Sequence, residues 1–218
     1  MVLYDIHTHC LKTQEELCEV RRILNTYPEE FCSYANLDDI WFSCGVHPWY
    51  SSDSDQQLEL LKKLMVQDRV VAIGEVGLDK LQGPNIDTQI RVFRKQIELA
   101  MNVQKPLIIH CVKAWEELIA LYKEYKTNIP WIIHGYRGNV EQTRQLSKLG
   151  FKFSIGAKFN SEALAHIPKD SMFCETDMSD ISICKIYISI CKVLDMSFDD
   201  FACQMEDNMA CHFNNIAK

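Results

Sequence analysis

Short, continuous apolar runs recur along this chain, separated by longer stretches with helical spacing, and this alternation constrains the fold more than anything else. The runs are 2–6, 41–46 (Trp41-Phe42-Ser43-Cys44-Gly45-Val46), 70–76 (Val70-Val71-Ala72-Ile73-Gly74-Glu75-Val76), 107–110, 131–134, 152–155 and 172–176. Unbroken apolar runs mark strands buried on both faces, as in a parallel sheet covered by helices. Between the runs, 87–103 places Ile90, Phe93, Ile97, Ala100 and Met101 on one face, with Asp87 as its expected N-cap. Trp115, Leu118, Ile119 and Tyr122 mark a helix over 114–125. Asn139 and Gln142 open another over 140–149, which Gly150 closes. Two helices end the chain: 183–194, burying Ile183, Ile186, Tyr187, Ile190 and Leu194, and one after Ser197, burying Phe201, Met205 and Met209.

Strand-helix alternation of this kind gives an α/β protein with a parallel sheet. The runs fit either an open doubly wound sheet or a (β/α) barrel with one weak strand. The weak strand falls between His9 and Trp41, where 14–25 reads as helix and Glu30-Phe31-Cys32-Ser33-Tyr34-Ala35 as a poor strand. The chain carries neither Gly-x-Gly-x-x-Gly after a strand nor Gly-x-x-x-x-Gly-Lys-Ser/Thr, which counts against a nucleotide-binding open sheet. No repeat or Pro/Gly linker breaks the pattern, so one domain over 1–218 is expected.

Bulk composition narrows the function classes. Lys and Arg total 23 against 30 Asp and Glu, a net charge of −7, which gives no chain-wide basis for non-specific nucleic-acid binding. No apolar run approaches the length of a membrane span, and Met1 leads straight into a strand without a secretory n- or h-region. The ten cysteines contain no Cys-x-x-Cys, and Cys32, Cys44, Cys174 and Cys191 sit in apolar stretches. Reduced thiols acting as small buried hydrophobes, and hence a cytoplasmic protein, are the expectation.

Chemistry concentrates at the strand ends. Asp5-Ile6-His7-Thr8-His9 closes the first run, and alternation puts His7 and His9 on one face, roughly 7 Å apart at Cα. Glu75 ends the Val70–Ile73 run, His110 ends Leu107–Ile109 and His134 ends Ile132–Ile133. Glu175 and Asp177 follow Met172-Phe173-Cys174. Each residue alone has a plain structural reading. Five such strand ends in a chain with seven histidines point instead to a metal site on the C-terminal face, where barrel enzymes build their sites. Four histidines and two or three carboxylates suffice for two divalent ions roughly 3.5–4 Å apart, sharing a carboxylate and clamping the oxygens of a displacement. Mixed N and O donors suit Zn²⁺, Mn²⁺ or Fe²⁺, with Mg²⁺ at a carboxylate-rich position.

Taken in order, Asp5-Ile6-His7-Thr8-His9, Gly45-Val46-His47-Pro48-Trp49, Gly74-Glu75-Val76-Gly77-Leu78-Asp79, Pro106-Leu107-Ile108-Ile109-His110, His134-Gly135-Tyr136-Arg137-Gly138 and Glu175-Thr176-Asp177 resemble the TatD family of metal-dependent deoxyribonucleases. Gln89, Phe93, Gln96, Leu99 and Ala100 resemble the family's helix before its fifth strand, and Asn208 falls near a family asparagine. The resemblance implies a TIM-type (β/α) barrel, distorted or truncated around the second strand because the His9–His47 segment is short. It implies that His7, His9 and Asp177 hold one metal and His110 and His134 a second, bridged by Glu75. Asp177 would take the proton of the attacking water. Glu75 and Asp177 are thus the catalytic pair, the ions two of Mg, Mn or Zn, and the implied substrate DNA cut from an end.

Departures from the family pattern concern the substrate. Cys111-Val112 stands where the family usually has Ser-Arg, so a bidentate phosphate ligand is missing there, with Lys113 or Lys80 as point-charge substitutes. Met178-Ser179 stands where the family usually has Ala-Pro. His47, Asp79, Arg137 and Lys113 are candidates for substrate or supporting contacts, against readings as a turn residue, a loop cap and solvated charges. Trp49 and Tyr50 offer base stacking or wall packing, and His166 and His212 read as ordinary helix residues. The rival readings are a hydrolase of the same barrel acting on a small phosphoester, lactone or amide, and a catalytically silent metal-binding protein.

Overall fold

The computed structural model describes residues 1–10, 18–34, 36–37 and 40–213. From β2 to α7 strands and helices alternate, and the described elements are β1 (Val2–Thr8), β2 (Glu19–Thr26), α1 (Phe31–Tyr34), β3 (Trp41–Cys44), α2 (Asp55–Leu64), β4 (Val70–Asp79), α3 (Ile86–Val103), β5 (Leu107–Val112), α4 (Trp115–Tyr125), β6 (Trp131–Ile133), α5 (Val140–Leu149), β7 (Lys152–Ile155), α6 (Ser161–Leu164), β8 (Met172–Cys174), α7 (Ile183–Leu194) and α8 (Phe198–His212). The chain forms two compact units, residues 1–24 with 131–218 and residues 25–130.

In the first unit β6, β7 and β8 are consecutive parallel neighbours, and β1 pairs in parallel with β2. The end of β1 is joined to the segment beyond β8 by a bridge between Thr8 and Asp177. Both closing helices cover this sheet. The Tyr187 hydroxyl of α7 accepts from Tyr4 N (3.1 Å) and donates to Tyr4 O (3.1 Å), so a fully buried aromatic ring satisfies a strand backbone on both sides. Asn208 of α8 donates to Lys169 O (2.7 Å) and Met172 O (2.8 Å), fixing the start of β8. The apolar positions expected of both helices are buried, apart from the half-buried Leu194.

In the second unit β3, β4 and β5 are consecutive parallel neighbours, and Thr26 at the end of β2 holds the β3 end through Ser43 O (3.0 Å). All ten residues of β4 are buried, as its uninterrupted apolar run requires. Helix α3 packs on this strand through Val92, Phe93, Ile97 and Ala100. Its two buried glutamines grip neighbouring backbone. Gln96 accepts from Val46 N (2.7 Å) and donates to Val46 O (3.0 Å). Gln89 does the same for Asp79 N (2.7 Å) and Asp79 O (2.8 Å). α3 therefore sets the loop after β3 and the end of β4.

The second strand corrects the sequence reading. Residues 19–25, expected in a helix, belong to β2 (Glu19–Thr26), an eight-residue strand paired in parallel with β1 from Val2↔Glu19 to Thr8↔Leu24, so the second strand is present. The remainder of that expected helix, 14–17, lies outside the described residues. Arg21, Arg22 and Leu24 favour helix locally, but pairing with β1 and burial of Ile23 and Leu24 override that preference. Residues 31–34 of the expected poor strand are the one-turn helix α1, and Ala35 lies outside the described residues. The N-cap of α3 is Asn85, whose side chain accepts from Thr88 N. Asp87 sits in the first turn. Cys44, Cys174 and Cys191 are buried thiols, whereas Cys32 is exposed on α1.

Candidate metal centre

In the first unit, three strand ends converge on Asp177. His7 is completely buried, and its Nε2 lies 3.8 Å from Asp177 Oδ1. His9 Nε2 lies 3.7 Å from the same oxygen. The His7 ring centroid is 5.0 Å from that of His9 and 4.5 Å from that of His134. One donor atom each from His7, His134 and Asp177 falls within 4.8 Å of the others. Asp177 occupies left-handed backbone (φ 54°), and its N–H donates to His7 O (2.9 Å) while its carbonyl accepts from His9 N (3.2 Å). The β1 backbone thus dictates where this carboxylate points.

Two further carboxylates shape the cluster without joining it. Glu175, fully buried, accepts from Gly135 N (2.6 Å) and lies 3.4 Å from His134 Nδ1. Asp5, also buried, accepts from Thr176 N (2.9 Å) and Thr176 Oγ1 (2.7 Å), and that hydroxyl also meets Thr8 Oγ1 (3.0 Å). Asp5 opens the motif that singled out His7 and His9, yet its role as a brace under the Glu175–Asp177 turn has no periodic signature in the sequence.

The second unit holds another constellation. Glu75 Oε1 lies 2.8 Å from His110 Nδ1 and 3.2 Å from His47 Nε2, and these three donors again fall within 4.8 Å. The other nitrogen of His110 meets Asp79 Oδ2 (3.0 Å), which also accepts from Trp49 Nε1 (2.7 Å). Burial pulls the Asp79 carboxyl up, but the Trp49, His110 and Leu81 donors together outweigh it and hold the group below the usual carboxylate range. Asp79 is therefore an ionised partner for His110, the arrangement that orients metal-binding imidazoles. His47 is N-cap of a single 3-10 turn, its Nδ1 accepting from Trp49 N (3.2 Å), which aims Nε2 at Glu75. Sequence reasoning gives His47 a substrate or supporting role, and its Nε2 lies with the Glu75 and His110 donors in a group that could hold a metal ion. Trp49 is the hydrogen-bond donor that reasoning missed. Its position two residues after His47 was the available signal.

The remaining candidates sort by exposure. Lys113 and Arg137 are exposed, on loops after β5 and β6. Lys80 is neutralised by Glu117 at 2.7 Å and so is not a spare phosphate ligand. Burial pushes the Cys111 thiol up to about 12, so it is neither a thiolate ligand nor a nucleophile at neutral pH. His166 lies in a turn near Arg144, and His212 near Asp170 O, both away from the donor clusters.

These donors suit divalent metal ions, with imidazole nitrogens and carboxylate oxygens gathered at the ends of parallel strands. Such donor clusters on parallel strands define a chain of the metal-dependent hydrolase fold class. Residues 8–214 match the TatD related DNase family, and the chain belongs to it. It is 36% identical over 151 residues to the uncharacterized metal-dependent hydrolase YabD of Bacillus subtilis, covering 64% of this chain and 59% of the relative. It is 31% identical over 163 residues to a protein of Vairimorpha ceranae named "Putative deoxyribonuclease TATDN1 homolog", covering 72% and 59%. The chain thus spans about three fifths of the length of these curated relatives. Among solved structures, YJJV, a TatD homolog from Escherichia coli, superposes with a TM-score of 0.79 at 24% identity, covering 89% of this chain and 86% of that one. A TatD family hydrolase from Entamoeba histolytica gives 0.77 at 19%, covering 99% and 98%. The fold is the TIM-type barrel of this family.

Proposed function

We propose that this protein is a metal-dependent hydrolase that cleaves phosphodiester bonds in DNA. The observation that carries the reading is the pair of donor clusters, His7, His134 and Asp177 with His9 alongside, and His47, Glu75 and His110, in a chain matching TatD related DNase over 8–214. His7, His9, His134 and Asp177 would hold one divalent ion, and Glu75 with His110 and His47 another. Bound Mg, Mn or Zn would acidify water and neutralise charge on a phosphate.

The chain's own groups divide the rest of the work. Glu175 is buried and tied to Gly135 N, whereas the Asp177 side chain is 32% exposed, so Asp177 is the carboxylate able to take a proton from attacking water. Asp79 holds the His110 ring in one orientation. Trp49, 38% exposed, and Tyr50, 53% exposed, present aromatic faces on which a base can stack.

A second reading has one specific observation in its favour. The end of β5 is Cys111-Val112, which offers no guanidinium to a nucleic-acid backbone, and this suits a small phosphoester, lactone or amide. Activity of the metal-loaded protein on single-stranded DNA, a small phosphodiester and an amide panel separates the two. DNA cleavage that falls at least about 100-fold in His7→Ala/His9→Ala supports the first. Undiminished cleavage by that variant overturns the site, and turnover confined to small substrates overturns DNA as substrate.

A further inference from the structure

A cavity of about 280 Å³ opens in the first unit beside Asp177. Its walls come from three strand-to-helix loops: Gly135 and Arg137 after β6, Gly156 and Lys158 after β7, and Asp177 and Met178 after β8. Charge is graded through it. At the inner end, Glu175 is wholly buried and Asp177 partly so, whereas Arg137 and Lys158 are exposed at the outer end. Asp180 also lines the outer end.

Arg137 and Lys158 make no hydrogen bond or ion pair with any described residue. That sets them apart from Lys80, Arg94 and Lys95, which hold Glu117, Glu124 and Asp55. A ligand that suits an acidic inner end with cation-binding donors and a basic outer end must be anionic, able to reach a metal ion at Asp177 and to present further negative oxygens outward. Phosphate esters have that form, and the guanidinium fork and ammonium are the side chains that bind them. The volume admits a single phosphorylated unit rather than several nucleotides, since pockets for drug-sized ligands start near about 300 Å³.

We propose that Arg137 and Lys158 form a phosphate-binding subsite at the mouth of this cavity, gripping the phosphate of the terminal unit of a phosphoester substrate. The subsite rests on the hydrolase reading for its place in turnover, but its affinity for phosphate can be read without turnover. It supplies from the loops after β6 and β7 the anion contact that Val112 cannot.

The test compares metal-loaded wild type with Arg137→Ala, Lys158→Ala, the double variant and Arg137→Lys. Each is first checked for unchanged metal content and melting temperature. Inorganic phosphate binding is measured by calorimetry at constant ionic strength, against chloride. KM and kcat are measured on a short single-stranded oligonucleotide. The double variant is expected to weaken phosphate binding and raise KM roughly tenfold each, with kcat within about threefold, because the contact is made in both ground and transition states. Arg137→Lys should recover part of the binding and a shallower salt dependence than wild type should mark the double variant. If the wild type cleaves no DNA, DNA as the substrate is overturned, while loss of phosphate binding in the double variant still supports the subsite. Phosphate affinity unchanged in the double variant overturns the subsite whatever the activity.

Discussion

Asp5 ligates nothing in either cluster, yet it governs one of them. Its two carboxylate oxygens take both the N–H and the hydroxyl of Thr176, the residue between Glu175 and Asp177. Burial raises its carboxyl to about 7, against the lowering effect of the two Thr176 hydrogen bonds. The sign follows from linkage. A carboxyl whose folded value exceeds its unfolded value of about 3.9 favours folding most below that value, and the contribution fades as pH rises through about 7. With metal chelated, the stability of wild type relative to Asp5→Asn should therefore fall by a few kcal/mol between about pH 4 and 7.5, at no more than about 1.4 kcal/mol for each pH unit. Denaturant melts at several pH values measure it, and a pH-independent difference would refute titration of Asp5 in this range. Asp79 makes a parallel case in the other unit. Asp79→Asn keeps one oxygen, which can serve Trp49 Nε1 and His110 Nε2 together as Oδ2 does now only if the amide NH2 faces Leu81 N and Gln82 N, and it removes the charge that orients His110. Zn²⁺ affinity should drop about 10- to 100-fold, as read by competition with a chromogenic chelator. Apart from His47, the candidate donors stand out in the sequence by their places at strand ends. The brace at Asp5 and the Trp49–Asp79 contact do not, because hydrogen bonds between segments far apart in sequence have no periodicity to betray them.

At the scale of elements, the apolar period sufficed wherever burial decided the structure. β4, β5 and β7 and helices α3, α5, α7 and α8 lie where their patterns put them, and Asn139 and Gly150 cap α5 as its sequence demands. The period failed at β2, where Glu19-Val20-Arg21-Arg22 carries no burial signal and the state is settled by pairing with β1. Close strand approach supplies a sharper constraint. Gly77 in β4 has φ +137°, and a Cβ built there would lie 2.0 Å from His110 O. Gly77→Ala must displace the His110 backbone, costing at least about 2 kcal/mol and weakening metal binding together with stability. A thermal melt and a metal titration on the same sample check both. The α3 glutamines make the same point through hydrogen bonds. Gln96→Leu would leave Val46 N and O buried without partners and cost about 2–4 kcal/mol. Normal stability in that variant would show that α3 does not hold the His47 loop.

For the molecule as a whole, the donor clusters tie stability to metal. None of the described helices is long and apolar enough to cross a membrane. An ion that binds the folded chain and not the unfolded one stabilises it by mass action, about 2.7 kcal/mol at a free concentration of 100 times its Kd. For a chain of 218 residues that is a rise in melting temperature of about 5–11 °C, because 1 kcal/mol shifts domains of this size by about 2–4 °C. Raising free Zn²⁺ or Mn²⁺ tenfold further should add about 1.4 kcal/mol per bound ion, so the slope of stability against log concentration reports how many ions bind. His7→Ala/His9→Ala and His110→Ala each remove donors from a different cluster and should each reduce that slope. The apo melting temperature should change less, because those donors face one another rather than the apolar core. A slope of zero in wild type would refute metal binding by this chain. A wild-type slope retained in full by both variants would place the ions elsewhere.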